Sequence, residues 1–249
     1  MLVDQLVETL RIDGERLAGA AERAGLDATV PTCPGWRVTD LVRHIGGVHR
    51  WATAHVVEQR RNPFGPDDER GFFTAPDDDG LLDWFRDGHR ALTVALGAAD
   101  PRLDCWTFLP AGSPLEFWAR RQAHETAIHR ADAESAIGAR PQWRPEFAAN
   151  GVDEILNCFF QRRPERLAAD PPRSVSLRAT DIEQSWTIRM ERDRLYVDAG
   201  HRSADLDLSG PVSLLYLLLW NRTGTEDLTV DGDPEVWESW RNRATITWS

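Results

Sequence analysis

Residues 113–138 read SPLEFWARRQAHETAIHRADAESAIG, and their spacing decides the fold of the first half of the chain. Ser113 stands where a cap belongs, Pro114 falls at the first helical position and Glu116 at the third. That is a capping box with proline pre-setting the first turn. Gly138 offers the stop, so the spacing predicts a helix from Pro114 to about Ile137. On it Trp118, Gln122, Glu125, His129 and Asp132 recur at steps of four, three, four and three, and therefore share one stripe. A stripe facing into a bundle is ordinarily apolar, whereas this one is polar in its middle, and buried polar groups need partners. Helix bundles use inward carboxylate and histidine pairs to hold metals. Glu125 and His129 have the i, i+4 spacing of the paired ligands in H-E-x-x-H. The spacing alone equally suits an exposed, solvated pair.

Working outward, three more helices precede this one. Val3, Leu6, Val7 and Leu10 repeat at helical intervals, and Leu17, Ala21 and Ala24 continue the face to a stop at Gly25. A turn follows at Thr32-Cys33-Pro34-Gly35-Trp36, and a second helix runs from near Val38 to about Arg60 with Leu41, Ile45, Val48, Ala52 and Val56 on its apolar side. Residues 61–80, rich in Pro, Gly and Asp, read as a loop, and Leu81, Phe85, Leu92 and Leu96 mark a third helix. Four helices of this length predict an antiparallel bundle. His44 points toward the apolar side of the second helix and is a third metal-ligand candidate, although a core histidine bonded to a backbone carbonyl has the same pattern. His55 lies on nearly the same face about 16 Å along the axis, too far to share an ion with His44. His49 is rotated away, His124 points around the helix from Glu125, and His89 is a reserve ligand.

The second half changes period. Residues 138–146 read as a linker, and a helix carrying Val152, Ile155, Leu156, Phe159 and Phe160 follows. Short alternating runs then predict strands at Val175–Arg178, Trp186–Met190, Leu195–Val197, Leu206–Leu208 and Leu228–Val230. Ser209-Gly210-Pro211 opens a helix through Trp220, and a last helix starts near Pro234. The expected architecture is α+β with two domains: an antiparallel four-helix bundle over 1–140 and a smaller α+β domain over 141–249.

Composition narrows the function. The chain has 249 residues and a formal net charge of −11, a poor match to a phosphate backbone, so nucleic acid is not an expected partner. Its longest apolar run, Leu214–Trp220, is far shorter than the ~20 residues of a membrane span. The first residues lack the basic start and apolar core of a secretory signal. Cys33, Cys105 and Cys158 are widely spaced and form no C-x-x-C pair, which suits a reducing, cytoplasmic setting. Cys33 reads as structural, since no lysine occurs anywhere in the chain to lower its pKa.

The string Cys33-Pro34-Gly35-Trp36-x-Val38-x-Asp40-Leu41-x-x-His44 resembles the lead-in to the second helix of the mycothiol-dependent maleylpyruvate isomerase family. That family belongs to the DinB-like group of metal-binding four-helix bundles. Arg121 through Glu134 resembles its fourth-helix signature, and Leu206–Trp220 followed by Leu228–Asp233 resembles its small, sterol-carrier-like second domain. One local departure is Arg37, which stands where the family has a Ser or Thr cap opposite Asp40. The resemblance implies metal ligation by His44, Glu125 and His129, and places a substrate-binding, catalytic arginine at Arg222, at the end of the Leu218-Leu219-Trp220-Asn221 segment. Read from its position alone, Arg222 is equally a solvated helix-end residue.

Two imidazoles and one carboxylate leave a position open on a divalent ion, the pattern of a catalytic site. Nitrogen and oxygen donors suit zinc. A thiol entering the open position would be deprotonated, and the resemblance implies that this thiol is mycothiol. The expected activity is delivery of a metal-bound thiolate to a small electrophile, as a maleylpyruvate-type cis–trans isomerase or a thiol S-transferase. The competing expectation is a non-catalytic, metal-binding regulatory or interaction module that keeps the bundle. The sequence does not fix the oligomeric state.

Overall fold

The computed structural model describes residues 1–244. Its contacts divide the chain into two units, Met1–Pro141 and Gln142–Ser249. Residues 245–249, which the sequence reading assigns to the second domain, lie outside the described residues. Among the described residues no helix is long and apolar enough to cross a membrane.

The first unit contains α1 (Val3–Ala24), α2 (Val38–Glu58), α3 (Pro66–Phe72), α4 (Asp78–Ala98) and α5 (Pro114–Ser135). The four long helices make the bundle, with α1 and α2 each packed against both α4 and α5. Leu17, Leu41, Ile45, Leu81 and Phe85 are fully buried between them, and truncating one such residue to alanine costs ~2–5 kcal/mol. Close approach of α1 to α4 depends on Gly14, where a Cβ would collide with the imidazole of His89.

Helix α3 corrects the expected loop over 61–80. Pro66 occupies its first position and Asp67, Asp68 and Glu69 fill its first turn, where the dipole favours acids. Asp78 and Asp79 do the same for α4. The proline and aspartates that read as turn residues are helix starters here.

Helix α5 begins as its sequence requires, with the Ser113 hydroxyl accepting from Glu116 N at 3.1 Å. Arg121 through Glu134 is buried on every side. So many polar residues can be buried because they find partners on neighbouring helices and on α5 itself. Arg130 Nη1 donates to Asp13 Oδ1 of α1 at 2.8 Å, and its Nε donates to Glu134 Oε1 at 2.7 Å. His49 Nε2 of α2 lies 2.8 Å from the Thr126 hydroxyl. At the other end of α2, His55 is enclosed by rings: Trp118 stacks on it at 5.1 Å, Trp106 lies at 5.1 Å, Trp51 at 5.0 Å and Phe64 at 4.6 Å. Both of its ring nitrogens are buried without a hydrogen-bond partner.

The second unit opens with α6 (Pro145–Glu154), which widens into a π turn over Ile155–Phe159. Strands β1 (Arg173–Ala179), β2 (Ser185–Met190), β3 (Leu195–Ala199), β4 (Leu206–Gly210) and β5 (Thr229–Gly232) form one sheet in the order β3-β2-β1-β4-β5. β1 pairs antiparallel with β2 but parallel with β4, and Leu177 faces Leu208 across that pair. Helix α7 (Val212–Leu219) follows β4 directly, its first amide capped by Asp181 Oδ1 at 2.9 Å, and α8 (Pro234–Arg243) follows β5. α7 and α8 both pack on β1 and β4.

Candidate metal centre

The lead-in to α2 is fixed by Asp40, whose Oδ2 accepts from Arg37 N at 2.8 Å. This completes the carboxylate half of a capping box although arginine occupies the cap position. Two turns into α2 the half-buried His44 faces α5. Its Nε2 lies 3.6 Å from Glu125 Oε1, and His129 Nε2 lies 3.3 Å from the same oxygen. One donor atom from each of His44, Glu125 and His129 lies within 4.8 Å of the other two. Donors bound to a common ion at ~2.1 Å are separated by roughly 3–4 Å, so small side-chain adjustments would bring this set to the spacing of a shared ion. The solvated-pair reading of Glu125 and His129 is excluded, because they are only 5% and 7% exposed.

Each α5 donor is held from behind. Arg121, one turn earlier on α5, donates to Glu125 Oε2 at 3.0 Å, which leaves Oε1 turned to the histidines. Asp132 Oδ2 lies 2.9 Å from His129 Nδ1, which leaves Nε2 turned to Glu125. Burial works to raise the Glu125 carboxyl, but hydrogen bonds with His129 and His44 and the charge of Arg121 hold it well below the ordinary carboxylate range. Burial likewise works against a charged His129, but Asp132 and Glu125 outweigh it and push its pKa up to about 9 in the metal-free chain. A metal ion binding at this imidazole would have to displace a proton.

Two aromatic side chains wall the group. Trp36 stacks on His129 with ring centroids 6.3 Å apart, and meets His44 edge-on at 5.2 Å. Phe73, just beyond α3, lies 6.3 Å from His44. Its ring reaches α2 because residue 47 is glycine, where a Cβ would collide with it.

Residues 7–134 match the N-terminal domain of mycothiol maleylpyruvate isomerase, and residues 146–239 match its C-terminal domain. The chain belongs to the mycothiol-dependent maleylpyruvate isomerase family. Two crystal structures of the mycothiol-dependent maleylpyruvate isomerase, one of them a histidine-to-alanine mutant, share its fold. They are 14% and 13% identical to this chain, with 93% of each chain covered and a TM-score of 0.64. No curated protein matches the chain.

In this family member the structure brings His44, Glu125 and His129 together, and among the described residues no other histidine joins that group. His49 and His89 sit elsewhere in the bundle, with His89 Nε2 bonded to the Leu10 carbonyl at 3.0 Å. His55 is in its aromatic enclosure, and His201 of the second unit faces Asp207 at 2.8 Å. Arg222 also lies in the second unit, half-buried just after α7, where its Nη1 donates to the Trp220 carbonyl at 2.8 Å. Sequence reasoning placed Asp132 on the polar stripe and Trp36 and Arg121 in the family strings, but gave none of them, nor Phe73, a part in the site. Arg121 and Asp132 were open to it, since each is one turn from an α5 donor.

Proposed function

We propose that the protein is a zinc- and mycothiol-dependent cytoplasmic enzyme acting on a small electrophile, by cis–trans isomerisation of a maleylpyruvate-type diacid or by S-transfer. The observation that carries the reading is the convergence of two imidazole nitrogens and one carboxylate oxygen at a buried site of a family member. His44, Glu125 and His129 would hold the ion. Bound there, it supplies a Lewis-acid position at which a thiol loses its proton at neutral pH.

The chain's own residues set up the rest. Arg121 and Asp132 fix the direction of the two α5 donors. Trp36 and Phe73 cover the histidines with apolar surface, which displaces water and strengthens the electrostatics beside them. Cys105 and Cys158 are buried and Cys33 packs against the bundle core, so the nucleophilic sulfur is best supplied from outside. Arg222 supplies the charge that a dicarboxylate needs and a neutral electrophile does not.

The test is turnover. Zinc-loaded protein with mycothiol should isomerise maleylpyruvate to its trans isomer, followed by chromatographic separation of the two, and neither metal nor thiol alone should suffice. Arg222→Ala should lower kcat/KM by about tenfold or more for the diacid if isomerisation is the activity, and leave transfer to a neutral electrophile nearly unchanged. Metal-loaded protein that neither binds mycothiol by calorimetry nor turns over electrophiles with it would replace this reading with that of a non-catalytic metal-binding module.

A further inference from the structure

Three residues beyond its histidine donor, α5 places a second carboxylate, Asp132, with no exposure to solvent at all. A buried carboxylate is costly unless donors surround it, and two of those at Asp132 come from different places. One is His129 Nδ1, 2.9 Å from Oδ2. The other is the Thr32 hydroxyl, which donates to Oδ1 at 2.6 Å and lies 3.2 Å from the Ser135 hydroxyl. Thr32 belongs to the turn ahead of α2 that also carries Trp36, the ring stacked on His129. The imidazole is therefore gripped along its edge by Asp132 and over its face by Trp36, both tied to one turn.

We propose that Asp132 is the positioning residue of the metal centre: by accepting from His129 Nδ1 it fixes the ring's tautomer and rotation so that Nε2 faces His44 and Glu125, and Thr32 holds Asp132 in that pose. The inference rests on the metal reading above and deepens it. Without Asp132 the ring can swap which nitrogen carries the proton and swing about its side-chain bonds, and a metal ion must then restore the order. Outer partners of this kind are worth ~10–100-fold in metal affinity.

The experiment uses the full chain, stripped with chelator. It is titrated with Zn2+ against a chromophoric competitor, and with Co2+ to record the visible spectrum of the bound ion. Asp132→Ala should weaken Zn2+ binding ~10–100-fold and shift the Co2+ bands, with cooperative unfolding retained. Asp132→Asn, whose amide oxygen can still face His129, should recover part of the loss, whereas Asp132→Leu, which fills the space without an acceptor, should not. Thr32→Val should show a smaller loss than Asp132→Ala. Binding of Asp132→Ala within about twofold of wild type, with an unshifted Co2+ spectrum, overturns the proposal. If that variant does not fold, wild-type affinity and spectra in both Asp132→Asn and Thr32→Val overturn it instead. His44→Ala, run alongside, separates the two readings. If it too binds metal as wild type does, the metal reading fails; if it alone loses the metal, only the positioning role fails.

Discussion

Replacing His129 with alanine removes one of three converging donors. Four-ligand structural zinc sites bind with ~10–16 kcal/mol, or about 2.5–4 kcal/mol per ligand. Loss of one donor should therefore weaken zinc binding roughly a hundredfold or more. The same substitution changes the metal-free protein. Between Asp132 and Glu125 the His129 pKa is pushed up to about 9 from an ordinary 6.5, a difference worth about 3 kcal/mol of native stability. Because the folded value is the higher one, this stabilisation is complete below pH 6.5 and is lost as pH rises through about 9. Chelated wild-type protein should therefore lose stability across that window. Chelated His129→Ala should be the less stable of the two at pH 6, and the gap should close toward pH 9. Urea unfolding in chelator at three pH values, with elemental analysis after dialysis, measures both effects. One equivalent of metal retained by the variant, or a flat pH response of the chelated wild type, would refute the reasoning.

Two further outcomes follow from the bundle interior. His55→Phe should raise stability by ~1–2 kcal/mol at pH 7, since it removes two unpartnered buried nitrogens and keeps an aromatic ring in an aromatic enclosure. Burial lowers the His55 pKa to about 4 from 6.5. Its stabilisation is thus present above pH 6.5 and lost as pH falls through about 4, so the advantage of phenylalanine should be larger at pH 5, read by thermal melts at both pH values. Asp13→Ala removes the carboxylate facing Arg130 Nη1 in the buried α1–α5 pair. It should cost ~2–4 kcal/mol in urea unfolding, with zinc affinity unchanged.

Local rules made much of this protein legible. The Ser113 cap, the stop at Gly138 and the polar stripe on α5 are statements about neighbours along the chain, and they led to Glu125 and His129. His44 was legible as a histidine on an apolar face, but its convergence with the α5 pair needed the family resemblance. Helix α3 was not legible because proline and aspartate mark turns and helix starts alike, and only the following residues decide between them. The parallel pairing of β1 with β4 was not legible because an alternating strand carries no sign of its direction. Thr32 and Trp36 were legible as parts of the turn before α2, but their contacts with α5, like that of Phe73 with His44, join segments distant in sequence and were not legible.

The order in which the chain is made gives α5 a further significance. The Asp13–Arg130 pair joins residues 117 apart, the Thr32–Asp132 bond residues 100 apart, and the His49–Thr126 contact residues 77 apart. All three bring a polar group on α1, on α2 or in the turn between them to a partner on α5. As the chain leaves the ribosome, α1, α2 and α4 emerge with those groups still lacking their α5 partners. A compact state formed at that stage would bury Asp13 and His49 without their α5 partners. The bundle should therefore close fully only once about residue 135 is free. A nascent chain stalled near residue 110 should remain protease-sensitive, and one stalled past the exit of α5 should not.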